Sequence, residues 1–223
     1  LRFHKPGKFY HVIARGNDRA RIFFSPTDMC RMRDLLVEGV ERYSHVVHAY
    51  CFMPNHIHLL IEVHEEPLSK IMHNLTFRYT QYINRKLGRV GHLFQGRYKA
   101  LILDAKIYYL RLIRYIHLNP VRANIVSDPK DYIWSSHRAY LGMVNEPWIR
   151  TDSALRRFST DRREAIQRFY AFVMKGVGEV NEIYEKGMQG EVLGDKALIE
   201  EVQRYQCDEK EEMHIPYEEI ENF

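Results

Sequence analysis

The apolar residues of this chain switch between a strand period and a helix period in the order β-α-β-β-α-β between Phe9 and Leu103, and few folds accommodate that order. Phe9-Tyr-His-Val-Ile-Ala reads as a strand, closed by the turn cluster Arg15-Gly-Asn-Asp. Ser25-Pro-Thr-Asp opens an amphipathic helix over residues 27–43, with Met29, Met32, Leu35, Leu36 and Val40 at helical spacing. Two strands, 46–53 and 56–63, meet at Pro54-Asn55 and form a hairpin. A second helix covers 67–87, and Tyr98-Lys-Ala-Leu-Ile-Leu is a fourth strand. The expected fold is α+β, a ferredoxin-like split βαβ arrangement: an antiparallel sheet with two helices on one face. A third helix follows from Asp104 to Leu118 and is expected to stop at Asn119-Pro120, because proline disfavours a helical residue before it.

The pattern changes after Trp134-Ser-Ser. Residues 150–175 read as a helix, 176–194 as a linker and 195–206 as a short helix, with a loosely held acidic end from Cys207. The expected division is therefore a domain over 1–142 and a mainly helical extension over 143–223. Charge follows the same division. Residues 1–142 carry 22 Lys+Arg against 11 Asp+Glu, a net of +11; residues 143–223 carry 11 against 18, a net of −7. A basic front half points to a polyanionic partner, most simply nucleic acid. The acidic run from Asp208 to Glu221 either lies solvated or competes with phosphate for that surface. With 45% hydrophobic residues the chain can build a core, which excludes wholesale disorder. No stretch approaches 18 apolar residues, and three scattered cysteines form no disulfide framework, so the expected setting is cytoplasmic with no membrane partner.

Three local features carry chemistry. On a strand, His56-Ile57-His58 places both imidazoles on one face about 6.6 Å apart along the backbone, a spacing that lets them converge on one divalent ion. Two surface or packing histidines would show the same spacing. In Tyr115-Ile-His-Leu-Asn119, positions i and i+4 share a helix face, so a phenol and an amide carbonyl can point into one site. A core tyrosine and a helix-end asparagine would look alike. The loop Gly88-Arg-Val-Gly-His-Leu-Phe-Gln-Gly-Arg-Tyr-Lys interleaves Arg89, Arg97 and Lys99 with His92, Phe94 and Tyr98, which suits phosphate contacts and base stacking.

Taken together, Met53-Pro-Asn-His56-Ile-His58-Leu-Leu, Gly91-His-Leu-Phe-Gln-Gly-Arg-Tyr, Arg114-Tyr-Ile-His-Leu-Asn-Pro-Val-Arg-Ala and Trp134-Ser-Ser resemble the single-tyrosine HUH transposases. More narrowly, they resemble the insertion-sequence-200-like group that includes the REP-associated tyrosine transposases. The resemblance spans residues 8–142. It implies that His56 and His58 hold a divalent metal, Mg2+ or Mn2+, that Tyr115 is the nucleophile, and that Asn119 stands where relatives present a polar third ligand. Asparagine is shorter than the glutamine found in some of them. It further implies cleavage of hairpin-flanked or palindromic single-stranded DNA through a 5′-phosphotyrosine, by an enzyme that is a monomer or a homodimer and that sits on the nucleoid when bound. Arg15, Arg89, His92, Gln95, Arg97, Lys99, Arg114 and Arg122 are the expected DNA contacts. Two other readings stay open: a palindrome-binding protein without catalysis, and a metal-dependent phosphodiesterase that uses water.

Overall fold

A computed structural model describes residues 4–179 and 192–212. Its centre is strand β1 (Phe9–Arg15), flanked by β3 (His56–Glu62) and β4 (Lys99–Leu103), both antiparallel to it. Strand β2 (Val46–Met53) pairs with the outer side of β3. The order β2-β3-β1-β4 is that of the split βαβ arrangement, and the fold is α+β as the periodicities predict.

Register decides which side chains share a face. Arg15 lies opposite His56 and Ile13 opposite His58, so Arg15, Ile13, His11 and Phe9 stand on the same face as His56, His58 and Leu60. The other face carries Tyr10, Val12, Ala14, Ile57, Leu59 and Ile61, all buried. Helices α1 (Pro26–Tyr43) and α2 (Leu68–Leu87) cover that apolar face, where Phe23 packs between Phe52 and Tyr79. The two helices are tied at Asp28, whose buried carboxylate accepts from the Phe24 and Ser25 amides of α1's cap and from Tyr82 and Lys86 of α2. Helix α3 (Ala105–Arg122) covers the histidine face, so the sheet is buried on both sides rather than one.

Helix α3 does not stop at Asn119 but continues through Pro120 to Arg122. Pro120 supplies no N–H to the Ile116 carbonyl. The Asn119 carboxamide turns back instead, donating to Tyr115 O at 2.9 Å and reaching Ile116 O at 3.5 Å, which satisfies the freed end of the ladder. Residues 150–175 likewise form two helices, α5 (Asp152–Leu155) and α6 (Arg162–Lys175), because Asp161 caps the second by accepting from the Glu164 amide. A one-turn helix, α4 (His137–Tyr140), precedes them.

The stretch expected as a linker contributes a fifth strand. β5 (Val192–Leu193) pairs parallel with β4, Ile102 against Val192 and Leu103 against Leu193, and two residues are too few to show a period. Helix α7 (Lys196–Glu212) follows and runs beyond residue 206; the rest of the acidic end, 213–223, lies outside the described residues. Leu155, Phe169, Val173, Leu193 and Val202 join the same buried cluster as the sheet. Trp134-Ser135-Ser136 runs beside β2: the Phe52 amide donates to Trp134 O, and Ser136 Oγ accepts from the Tyr50 amide and sits 2.9 Å from His117 Nε2 of α3. The motif thus clamps the back of α3 to the sheet edge.

Candidate active site

The His-x-His strand lies where β3 is central enough to bury one imidazole and near enough its end to leave the other half open. His58 is 3% exposed, while His56 is half-buried beside the hairpin turn. Their rings meet edge to face at 4.8 Å between centroids. Each Nδ1 is held from behind. His56 Nδ1 is 2.6 Å from Asn55 Oδ1, and the Asn55 amide nitrogen donates to Arg19 O, which fixes the orientation of that carboxamide. An acceptor at Nδ1 puts the His56 proton there and leaves the Nε2 lone pair outward. His58 Nδ1 is 3.0 Å from His11 Nε2 on β1.

Burial keeps these imidazoles neutral. It lowers His56 to about 4, with Arg15 adding repulsion, and His11 to about 3. His58 is pushed well below the ordinary histidine value by burial first and by His11, His56 and Arg15 after it. Neutral imidazoles at pH 7 are what a divalent cation requires of nitrogen donors. The pair therefore fits a metal. Among the described residues no group of three His, Cys, Asp or Glu side chains could hold one.

Tyr115 comes to this pair from α3. Helical spacing turns it toward the sheet, 5% exposed, with its ring edge-on to His58 at 5.5 Å and to His11 at 5.6 Å. Two turns on, the exposed Arg122 places its guanidinium carbon 5.3 Å from the Tyr115 ring centroid. The structure thus gathers His56, His58, Tyr115, Arg122 and Arg15 in one place. Asn119 lies one turn after Tyr115 with its amide nitrogen spent on the helix backbone, and its carbonyl oxygen is the atom left to act. Arg114 is turned away: it pairs with Glu179 at 2.7 Å and lies over the Phe172 ring.

The basic loop is anchored beside the site. Gly16 bridges to Phe94, the Gln95 amide donates to Arg15 O, and the Asn17 amide donates to Leu93 O. With Leu93 and Phe94 buried, Arg89, His92, Gln95, Arg97 and Lys99 are all exposed around them. Between this loop and the outer face of α2 runs a groove of about 800 Å³, lined among others by His73, Thr76, Phe77, Arg97 and Tyr98 and, among the described residues, by no carboxylate. The outer face of α2 escaped the sequence reading, because Thr76 and Phe77 only become a wall once the loop stands opposite. His11 was missed as well. Its signal was present: alternation puts it opposite in facing to Tyr10, on the strand that the split βαβ order sets beside His58.

The sequence profile of the family described as "Transposase IS200 like" matches residues 7–119. Among solved structures, "Structure of the REP associates tyrosine transposase bound to a REP hairpin" aligns with a TM-score of 0.54 and 16% identity, covering 64% of this chain and 85% of that chain. A second, "Crystal structure of a putative transposase from deinococcus radiodurans r1 at 1.90 A resolution", gives a TM-score of 0.39 and 16% identity over 52% of this chain and 92% of that one. No curated protein sequence matches. Among the described residues no helix is long and apolar enough to cross a membrane.

Proposed function

Because this chain belongs to the IS200-like transposase family, we propose that it cuts and rejoins single-stranded DNA through a covalent bond to Tyr115, with a divalent metal, Mg2+ or Mn2+, held by His56 and His58. The observation that carries this reading is the Tyr115 ring standing edge-on to His58 within one chain. Phenol ionises near pH 10 and is a weak nucleophile at neutral pH. A cation bound at the two Nε2 atoms would polarise the scissile phosphate and stabilise the charge that builds on it. The remaining donors would be phosphate oxygens, water and Asn119 Oδ1, which suits an ion that prefers oxygen.

In the proposed step Tyr115 Oη attacks phosphorus and its proton leaves to solvent. The bond from phosphorus to the 3′-oxygen breaks, and that oxygen takes up a proton. The products are a 5′-phosphotyrosine and a free 3′-hydroxyl, and the retained ester allows a later 3′-hydroxyl to displace the tyrosine without ATP. Arg122, against the Tyr115 ring, would meet the phosphate as it arrives.

The proposed substrate is a hairpin-bearing single strand. The carboxylate-free groove between α2 and the basic loop offers Phe77 and Tyr98 for stacking and Arg97 for phosphate, which suits unpaired nucleotides. Arg15, Arg89, His92, Gln95 and Lys99 would complete the contact surface, whereas Arg114 would first have to leave Glu179. Residues 1–142 would carry the chemistry, and the described part of 143–223, packed into the same core, would brace it. The test is a denaturing gel of protein incubated with a hairpin-flanked strand and Mn2+. A protein–DNA adduct that disappears in Tyr115→Phe is the expected result. Cleavage without an adduct would make the protein a water-using phosphodiesterase, and binding without cleavage would make it a palindrome-binding protein.

A further inference from the structure

We propose that His11 is a positioning residue for His58: it accepts the His58 Nδ1 proton at its own Nε2 and so presents the His58 Nε2 lone pair to the metal. The inference rests on the reading of His56 and His58 as the metal ligands.

A histidine can bind a metal through Nε2 only when its proton sits on Nδ1, and a buried Nδ1–H needs an acceptor. His56 has the Asn55 carbonyl oxygen for that purpose. His58 is too deep for such a turn residue to reach, and the atom that meets its Nδ1 is His11 Nε2, 3.0 Å away across the β1–β3 ladder. The two rings lie nearly parallel, 17° apart with centroids at 5.2 Å, so packing locks the contact on both sides. His11 is 2% exposed, and among the described residues its Nδ1 has no hydrogen-bond partner. Its one hydrogen bond therefore goes to His58; accepting there leaves the His11 proton on the unpartnered Nδ1, a cost that metal binding at His58 Nε2 must outweigh. Two other buried histidines differ: His48 on β2 reaches Tyr109 of α3 as well as Glu62, and His117 of α3 reaches Ser136 and His137, each tying a helix to another part of the fold. His11 ties a strand to its already paired neighbour, which adds nothing the ladder does not supply. Metal-binding imidazoles commonly lean on a carboxylate, yet here a carboxylate would put a negative charge beneath the Tyr115 ring, where the phenol must lose a proton. A neutral imidazole accepts the proton without that charge.

The experiment measures Mn2+ affinity by titration calorimetry on the full chain, comparing wild type with His11→Phe, His11→Gln and His56→Ala. The expected result is about 10- to 100-fold weaker Mn2+ binding in His11→Phe, the range for losing such an outer partner. His11→Gln, which restores an acceptor, should recover part of the loss. Long-range 15N–1H spectra of the wild type with Mg2+ should show His58 protonated at Nδ1. Unchanged Mn2+ affinity in His11→Phe overturns the inference, as does a His58 proton on Nε2 in the Mg2+-loaded wild type, which decides the matter even if His11→Phe fails to fold. Wild-type Mn2+ binding that survives intact in His56→Ala marks a different failure, that of the ligand assignment itself.

Discussion

Single side chains in this protein gain their properties from where the sheet buries them. His56 and His58 are the same residue type two positions apart, yet one rests on a turn amide at the mouth and the other on an imidazole in the core. If the proposed roles hold, His56→Ala and His58→Ala should each abolish metal-dependent cleavage while leaving hairpin affinity within a few fold, because affinity would come from phosphate contacts of the basic front half. Filter binding beside a cleavage gel checks both. His45, at the turn into β2, shows the cost of burial without partners: among the described residues neither ring nitrogen has a hydrogen bond, and burial lowers it to about 4. An unfolded histidine takes up its proton near pH 6.5, so between 6.5 and 4 the unfolded chain binds a proton that the folded one refuses. Stability is thus full above pH 6.5 and falls as pH drops, by at most about 1.4 kcal/mol per pH unit for this one group. His45→Leu should shrink the loss between pH 7 and pH 5 by about 2 kcal/mol in urea unfolding. An unaltered difference would show that His45 protonates freely in the fold.

At the scale of elements, α3 is the part that everything else positions. Its inner face meets the histidines, its N-terminal half is pinned by Tyr109 Oη on His48 Nδ1 at 2.7 Å, and its back is clamped through His117 to Ser136. Ser136→Ala would strand the Tyr50 amide and the His117 Nε2 together. We expect a loss of about 1–3 kcal/mol in denaturant unfolding for buried groups left unpaired. Cleavage should fall more than hairpin binding, since Tyr115, the proposed nucleophile, rides on the loosened helix. The strands, α1 and α2 were legible because their apolar residues keep a clean period, and the His-x-His pair was legible because a strand fixes its facing. The end of α3 was not, since a proline rule about backbone cannot foresee a neighbouring asparagine that satisfies the freed carbonyl. Nor was β5, whose two residues have no pattern apart from the edge they join. His11 lay between these cases: visible as a residue, but with a role defined only by the strand beside it.

In the molecule as a whole, the tyrosine and both histidines of one site belong to one chain, and the described part of the extension packs into the same core. A mixture of His58→Ala and Tyr115→Phe proteins should therefore yield no adduct with a hairpin substrate. Restored adduct formation would show that copies exchange their tyrosine helices. The fifth strand has a consequence in time. Residues 104–191 separate β4 from the partner that covers its edge, so during synthesis Tyr115 and both histidines are made while that edge is still bare. An uncovered strand edge invites pairing with other chains. The newborn protein thus passes through an interval in which the proposed catalytic residues are made before the β4 edge is covered, and the emergence of residues 192–193 closes it.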